Sequence, residues 1–317
     1  MDKWLTLTYT YVNPTTKCDT AKSLQVYVQS KPTIDILTND TSYCRSNLMN
    51  ISLKASYAHT SKITWYQSAD VLIANFEGNL QSSNNNPATY TIRPRGDSTT
   101  TILISAYTEA ERVCPFDQKS IILTINPIPR ANINVSDPDG CVPHTVNFVT
   151  TMLNGVDASK ATYKWNFGDG GNDVVQNPTH TFTKVGNSNV SLLITSAEGC
   201  DTSITLPINV YPIPTAEFTP NPNNKTTSAL PRFRFTNNSI VVNTLASKIT
   251  KNMWDFGDLN SNTDTSTLLN PEYFYNSDTN SYWVSLIVET NHGCRAVSYT
   301  HLRAHETKAN LVCRLLL

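Results

Sequence analysis

Tyr163-Lys-Trp-Asn-Phe-Gly-Asp-Gly170 sets three aromatic residues, Tyr163, Trp165 and Phe167, at alternate positions, with Lys164 and Asn166 between them. Successive side chains of a β-strand point to opposite faces, so this spacing predicts a strand with one apolar and one polar face. Gly168, Asp169 and Gly170 then turn the chain, because glycine tolerates positive φ and aspartate hydrogen-bonds nearby backbone. The pattern returns as Met253-Trp-Asp-Phe-Gly-Asp258, which puts Trp165 and Trp254 89 residues apart (254 − 165). Recurrence at a domain-sized interval predicts tandem β-modules.

The segments behind each aromatic strand also repeat in order. Asn177-Pro-Thr-His-Thr-Phe182 and Val190-Ser-Leu-Leu-Ile194 follow the first copy, and Asn270-Pro-Glu-Tyr-Phe-Tyr275 and Tyr282-Trp-Val-Ser-Leu-Ile287 follow the second. This series, over about residues 130–296, resembles the PKD domain family. The resemblance rests on Trp165, Phe167, Gly168, Asp169 and Gly170 in one copy and on Trp254, Phe256, Gly257 and Asp258 in the other. Leu259 stands where the last glycine would be, which predicts a different turn there. The family resemblance implies immunoglobulin-like β-sandwiches at an extracellular surface, used as spacer or adhesion modules without catalysis.

Composition sets outer bounds. A chain of 317 residues suits about three sandwiches of roughly 100 residues each. With 24 Lys and Arg against 25 Asp and Glu, the formal net charge of −1 offers no field to gather nucleic acid or an anionic membrane. Charged residues make up 15%, while Thr, Ser and Asn abound, which suits half-exposed strands rather than long amphipathic helices. No apolar run approaches the ~20 residues of a membrane span, so no membrane insertion is expected. The first ten residues lack the apolar core and small-residue cleavage site of a signal peptide.

Punctuation and strand signals divide the chain into an all-β series of immunoglobulin-like sandwiches in a linear array. Residues 1–31 read as the carboxy-terminal remnant of a truncated module, since two strands cannot bury a core by themselves. Residues 32–129 read as one immunoglobulin-like domain, with strands around Ile51–Ala55, Ile63–Tyr66, Tyr90–Ile92, Ile102–Ile104 and Ile121–Ile125. Residues 130–213 and 214–296 are the two PKD-like modules, the second lacking its last strand. Prolines at the joints, Asn126-Pro-Ile-Pro129 and Tyr211-Pro-Ile-Pro214, withhold ladder donors and favour extended, stiff hinges.

The cysteines fall at recurring places. Cys18, Cys114 and Cys200 precede a linker proline by 14, 15 and 14 residues (32 − 18, 129 − 114, 214 − 200). Cys44 and Cys141 come early in their modules, and Cys44, Trp65 and Cys114 follow the order of an immunoglobulin disulfide and its central tryptophan. The expected crosslinks are Cys44–Cys114 and Cys141–Cys200, each within one sandwich, contributing roughly 4 kcal/mol apiece. Cys18 and Cys294 are left without partners in their own modules. Disulfides imply an oxidising compartment.

The tail departs from the repeat. Residues 297–317, Val297-Ser-Tyr-Thr-His-Leu-Arg-Ala-His-Glu-Thr307 and onward, resemble translated sequencing-adapter read-through, so they are expected to be non-native and to add nothing to a core. His301 and His305 stand i,i+4 beside Glu306, the spacing of zinc ligands on a helix, but no third ligand follows. Asp137, Asp139, Asp169 and Asp258 sit in loops without the spaced ligand set of a calcium site and read as turn formers. No nucleophile elbow, phosphate loop or catalytic histidine arrangement occurs, so no catalysis and no cofactor are expected.

Arg95-Gly96-Asp97 lies between two strand signals, which places it on a hairpin tip where an integrin-type receptor could capture it. The function expected is a non-enzymatic extracellular spacer and adhesion segment of a larger bacterial surface or secreted protein, monomeric, facing protein or polysaccharide at the cell surface. The alternative is a set of carbohydrate-binding accessory modules of a secreted glycosidase or protease, with Tyr273, Phe274, Tyr275, Tyr282 and Trp283 as the candidate aromatic platform.

Overall fold

The computed structural model describes residues 3–39, 41–60, 62–67, 76–79, 86–94, 96–109, 114–225, 231–275 and 281–303. Every regular element among them is a β-strand, and no helix there is long and apolar enough to cross a membrane. Arg95, His305, Glu306 and the tail beyond Arg303 lie outside the described residues.

The first element is a ribbon. Strands β1 (Lys3–Val12) and β2 (Asp19–Val28) pair antiparallel from Lys3↔Val28 to Val12↔Asp19. Thr, Tyr and Leu favour the extended backbone, and the Asn13 side chain closes the turn by accepting the Thr15 and Thr16 N–H groups. Trp4, Leu7, Tyr9 and Leu24 stay exposed.

Strands between Thr33 and Asn126 enclose the next core. Its strands are β3 (Thr33–Ile36), β4 (Ser42–Cys44), β5 (Met49–Leu53), β6 (Ala55–Ala58), β7 (Ile63–Gln67), β8 (Phe76–Asn79), β9 (Ala88–Pro94), β10 (Thr100–Thr108) and β11 (Gln118–Asn126). One sheet runs β4-β11-β10-β7, another β5-β9-β8, with β3-β6 as a separate pair. Alternation does the sorting: Ile102, Ile104 and Ala106 turn inward from β10, and Ile51 and Leu53 from β5. They enclose Trp65, which is fully buried.

Residues 130–213 contribute β12 (Ala131–Val135), β13 (Asp139–Cys141), β14 (His144–Met152), β15 (Thr162–Asn166), β16 (Asn172–Asp173), β17 (Thr179–Phe182), β18 (Gly186–Thr195) and β19 (Asp201–Tyr211). They assemble as β12-β14-β17 and β13-β19-β18-β15-β16. The last module contributes β20 (Phe218–Asn221), β21 (Arg232–Asn237), β22 (Ile249–Asp255), β23 (Thr265–Ser266), β24 (Glu272–Phe274), β25 (Ser281–Thr290) and β26 (Arg295–Arg303). Its sheets are β20-β21-β24 and β23-β22-β25-β26, around a core of Phe233, Phe235, Trp254, Phe256, Tyr275 and Val284.

By contact density the chain splits into two compact units. One joins Met1–Ala131 to Met152–Ala161 and Thr195–Thr202; the other holds Asn132–Thr151, Thr162–Ile194 and Ser203–Leu317. Within the first unit, the loop after β14 is fastened to the proline joint. Leu153 N–H donates to Arg130 O at 2.7 Å, Asn154 Nδ2 to Ile128 O at 2.8 Å, and Arg130 N–H to Asn154 Oδ1 at 3.2 Å. Within the second, the Tyr211 ring stacks on His292 at 3.7 Å with planes 7° apart.

The closing strand of the last module corrects the expectation that this strand is missing. β26 pairs with β25 from Ser281↔Arg303 to Glu289↔Arg295, and Leu302 is fully buried. His301 lies on this strand and not on a helix. Alternation explains why the pairing works: Ala296, Ser298, Thr300 and Leu302 face inward, matching Thr202, Ile204, Leu206 and Ile208 of β19. Serine and threonine thus occupy half-buried positions that isoleucine and leucine fill in the preceding module. Ser298→Ile combined with Thr300→Leu is expected to stabilise the last module by roughly 1–2 kcal/mol, read as a higher denaturation midpoint. An unchanged or lowered midpoint would show that these positions do not face the core.

Candidate functional site

The aromatic strand and its turn form one repeated unit, built twice with the same bonds. Trp165 and Trp254 are buried, and their indole N–H groups donate to Val175 O at 3.0 Å and Leu268 O at 2.9 Å. Phe167 stacks on His180 at 4.0 Å, and Phe256 on Tyr273 at 4.5 Å. Asn166 Oδ1 accepts the Gly168 N–H at 2.9 Å, and Asp255 Oδ1 accepts that of Gly257 at 2.8 Å, each starting the turn by a side chain that mimics backbone. The glycines are required. Gly168 has φ +78° and Gly257 φ +69°, and a Cβ there would lie 2.8 Å from Asn189 O and 2.3 Å from Trp283 O.

The two aspartates then fasten the turn to the neighbouring strand. Asp169 Oδ1 accepts the Gly171 N–H at 2.9 Å, while Oδ2 accepts from His180 Nε2 at 2.8 Å. Asp258 Oδ1 accepts the Asn260 N–H at 3.2 Å, and Oδ2 the Tyr273 hydroxyl at 3.2 Å. Tyr273 therefore replaces His180 in both of its roles, as stacking partner and as donor. The turns differ in length: Phe167 N–H closes on Gly171 O and Phe256 N–H on Asp264 O, so the second loop is four residues longer (264 − 256 against 171 − 167). That extra length removes the need for a left-handed residue where Gly170 has φ +104°, and Leu259 stands there 99% exposed.

All four carboxylate oxygens of Asp169 and Asp258 have protein donors, which makes them fasteners rather than cation ligands. Asp139 Oδ1 is likewise taken, by Asn209 Nδ2 and the Tyr211 hydroxyl. Among the described residues no three His, Cys, Asp or Glu side chains converge as a metal would need. Burial opposes the charge on Asp169, but the His180 and Gly171 hydrogen bonds outweigh it, holding the carboxyl below its usual range. A depressed folded-state pKa contributes stability above the unfolded value that is lost as pH falls through the folded one. The wild-type chain is expected to lose this contribution below about pH 4, and Asp169→Asn to flatten that limb of the stability curve. A variant with the same acid limb as wild type would show that the fastener does not titrate.

The expected crosslinks are not the ones formed. The structure joins Cys44 to Cys200 and Cys141 to Cys294, and leaves Cys114 free and Cys18 free and exposed. Strand register explains the difference. Cys44 lies opposite Asn126, at the far end of β11, whereas Cys114 precedes its first residue, Gln118. Eight residue steps along the strand separate those ends by about 27 Å, far beyond the ~7 Å limit between the Cα atoms of a disulfide. Cys141 lies opposite Tyr211, the last residue of β19, whereas Cys200 precedes its first, which separates them by about 34 Å. Each early cysteine thus sits at the trailing end of its module, where the hairpin cysteine of the next module reaches it. Trp65 is the centre of its core without a cystine beside it.

Asp97 also has a position that the short motif did not reveal. It lies between β9 and β10, which belong to different sheets, so the loop is a crossover and not a hairpin tip. Its carboxylate accepts from Arg130 Nη1 at 2.9 Å and lies 4.0 Å from Arg45 Nη1. Gly96 has φ +78°, and Arg95 is outside the described residues. Asp97 thereby reaches the proline joint through an exposed ion pair.

The proposed platform of the last module also separates. Tyr275 and Tyr282 are buried, Tyr273 is half-buried under Asp258, and the exposed Phe274 and Trp283 stand on different sheets. An aromatic cluster that went unread lies on residues 32–129. Tyr66 and Tyr107 meet edge-on at 5.6 Å and Tyr107 meets Phe116 at 6.3 Å, beside Glu109 and Gln118 in a recess of about 740 Å³. Gln118 Nε2 donates to the Tyr66 hydroxyl at 2.9 Å. The outward alternation of Tyr66 and Tyr107 opposite Trp65 and Ala106 was the available signal.

The PKD domain family matches residues 126–210, the segment that holds the first aspartate turn. No curated protein matches the chain. Among solved structures, the amino-terminal eight immunoglobulin domains of Down Syndrome Cell Adhesion Molecule align at a TM-score of 0.50 and 11% identity. That alignment covers 96% of this chain, which spans 45% of that structure. The titin I-band fragment I67–I69 aligns at 0.46 and 11% identity, over 87% of this chain and 99% of the fragment. The chain is an all-β tandem of sandwich modules, and its central segment matches the PKD domain family.

Proposed function

We propose that this chain is a non-catalytic extracellular spacer and adhesion segment of a bacterial surface or secreted protein. The observation that supports it most is the placement of both disulfides across module boundaries, where they hold neighbouring sandwiches together instead of stapling each one internally. Such bonds persist in oxidising compartments and serve a chain whose spacing matters. The titratable fasteners are spent on turns, which leaves the modules as scaffold. Labelling intact cells with a membrane-impermeant thiol reagent, before and after mild reduction, tests the reading. Cys44, Cys141, Cys200 and Cys294 should label only after reduction and without lysis. Labelling of these four before reduction, or only after lysis, would overturn it; Cys18, free and exposed, labels without reduction in either case.

The recess formed by Tyr66, Tyr107 and Phe116 supports a second reading, in which the 32–129 module holds a polysaccharide against its aromatic faces. The spacer reading expects the chain to wash off insoluble glycans. Retention that Tyr107→Ala reduces by about tenfold or more, as loss of one stacked ring would, favours the second reading instead.

A further inference from the structure

We infer that the two disulfides turn this segment into a length-limiting tether, in which pulling force passes through sulfur and bypasses most of the polypeptide. The inference rests on the spacer reading and follows from the order of the crosslinked residues. Cys44 joins Cys200 and Cys141 joins Cys294, so the two closed loops overlap, because Cys141 precedes Cys200. The shortest covalent route from Cys44 to Cys294 crosses to Cys200, runs back along the backbone to Cys141, and crosses again. It contains 59 residues (200 − 141), against 250 along the backbone (294 − 44).

Two mechanical consequences follow. Residues 45–140 and 201–293 lie off the shortest route, so unfolding them alone cannot lengthen the pulled chain. Load on the 130–213 module is applied at Cys141 and Cys200, which lie at opposite ends of β19 through the pairing of Cys141 with Tyr211. Force applied along the strands loads the ladder hydrogen bonds together instead of opening them one after another. The device therefore protects the 32–129 module and the last module by routing tension around them and through the 130–213 module, and it acts only in the oxidised state.

Single-molecule pulling on the full chain, with handles at its two ends, measures this directly. The oxidised chain should release at most about 200 Å between Cys44 and Cys294, and the same molecule should release about 850 Å after a reductant is added. Cys44→Ser with Cys200→Ser should allow about 330 Å, and Cys141→Ser with Cys294→Ser about 320 Å, since each leaves one loop closed. An oxidised release near 410 Å, the value for crosslinks confined to single modules, would overturn the inference, as would a release equal to that of the reduced chain. Either result would also remove the disulfide placement from the support for the spacer reading, whereas the cell-labelling experiment tests the extracellular location separately.

Discussion

Gly257→Ala is expected to destabilise the last module by roughly 3–5 kcal/mol, the largest loss expected from a single methyl group in this chain. Two costs combine. An L-residue held at φ +69° is strained, and its Cβ would lie 2.3 Å from the carbonyl oxygen of Trp283, a backbone atom fixed in the β25 ladder. Gly168→Ala meets Asn189 O at 2.8 Å and should cost less, while Gly170→Ala has open space and should cost only the ~1–2 kcal/mol of its backbone conformation. Hydrogen exchange along β22 and β25, compared with β15 and β18, assigns each loss to its module. Equal losses at Gly170 and Gly257 would show that contact with the facing strand is irrelevant.

Trp165→Ala is expected to cost about 3–5 kcal/mol, because it removes a buried indole and leaves a cavity against Phe148 and Phe167. It also strips Val175 O of its donor, so the loop leading to Asn177 should loosen with it. Trp283→Ala serves as the control: that ring is 64% exposed, and its loss should stay within about 0.5 kcal/mol. Urea denaturation followed by far-ultraviolet circular dichroism reads both. A Trp165 variant as stable as the Trp283 variant would contradict the assignment of the aromatic strand to the core.

Much of this fold was legible because alternation is a local property. Tyr163, Trp165 and Phe167 turn inward and Lys164 and Asn166 outward as their spacing requires, and the same holds for Trp254 and Phe256. The turn aspartates were legible as turn formers. Their second bonds, to His180 and Tyr273, were not, because those partners come from another strand, 11 and 15 residues further on.

The crosslinks show where linear spacing needs geometry added. The 14 residues from Cys200 to Pro214 marked a recurring position, yet the same span contains the eleven-residue strand β19. Converted to about 3.4 Å per residue, it places Cys200 at the end of the module farthest from its joint and from Cys141. Cys294 follows the glycine turn at Gly293 just as Cys200 follows Gly199, so both belong to hairpins facing the preceding module. The β26 strand was missed because residues 297–317 resemble adapter read-through and depart from the alternation of the preceding copy. Its inward residues, Ser298 and Thr300, carry little hydrophobic signal, and pairing with the long β25 strand sets its register instead. Asp97 fell to a short motif whose partners, Arg45 and Arg130, lie on either side of it in the chain.

Peptide mapping of the non-reduced chain by mass spectrometry tests the central claim most directly. Digestion should yield one crosslinked peptide pair containing Cys44 and Cys200 and another containing Cys141 and Cys294, with Cys114 recovered as a free thiol. Recovery of Cys44 with Cys114, or of Cys141 with Cys200, would contradict the account, since each of those bonds would have to span the length of a sandwich.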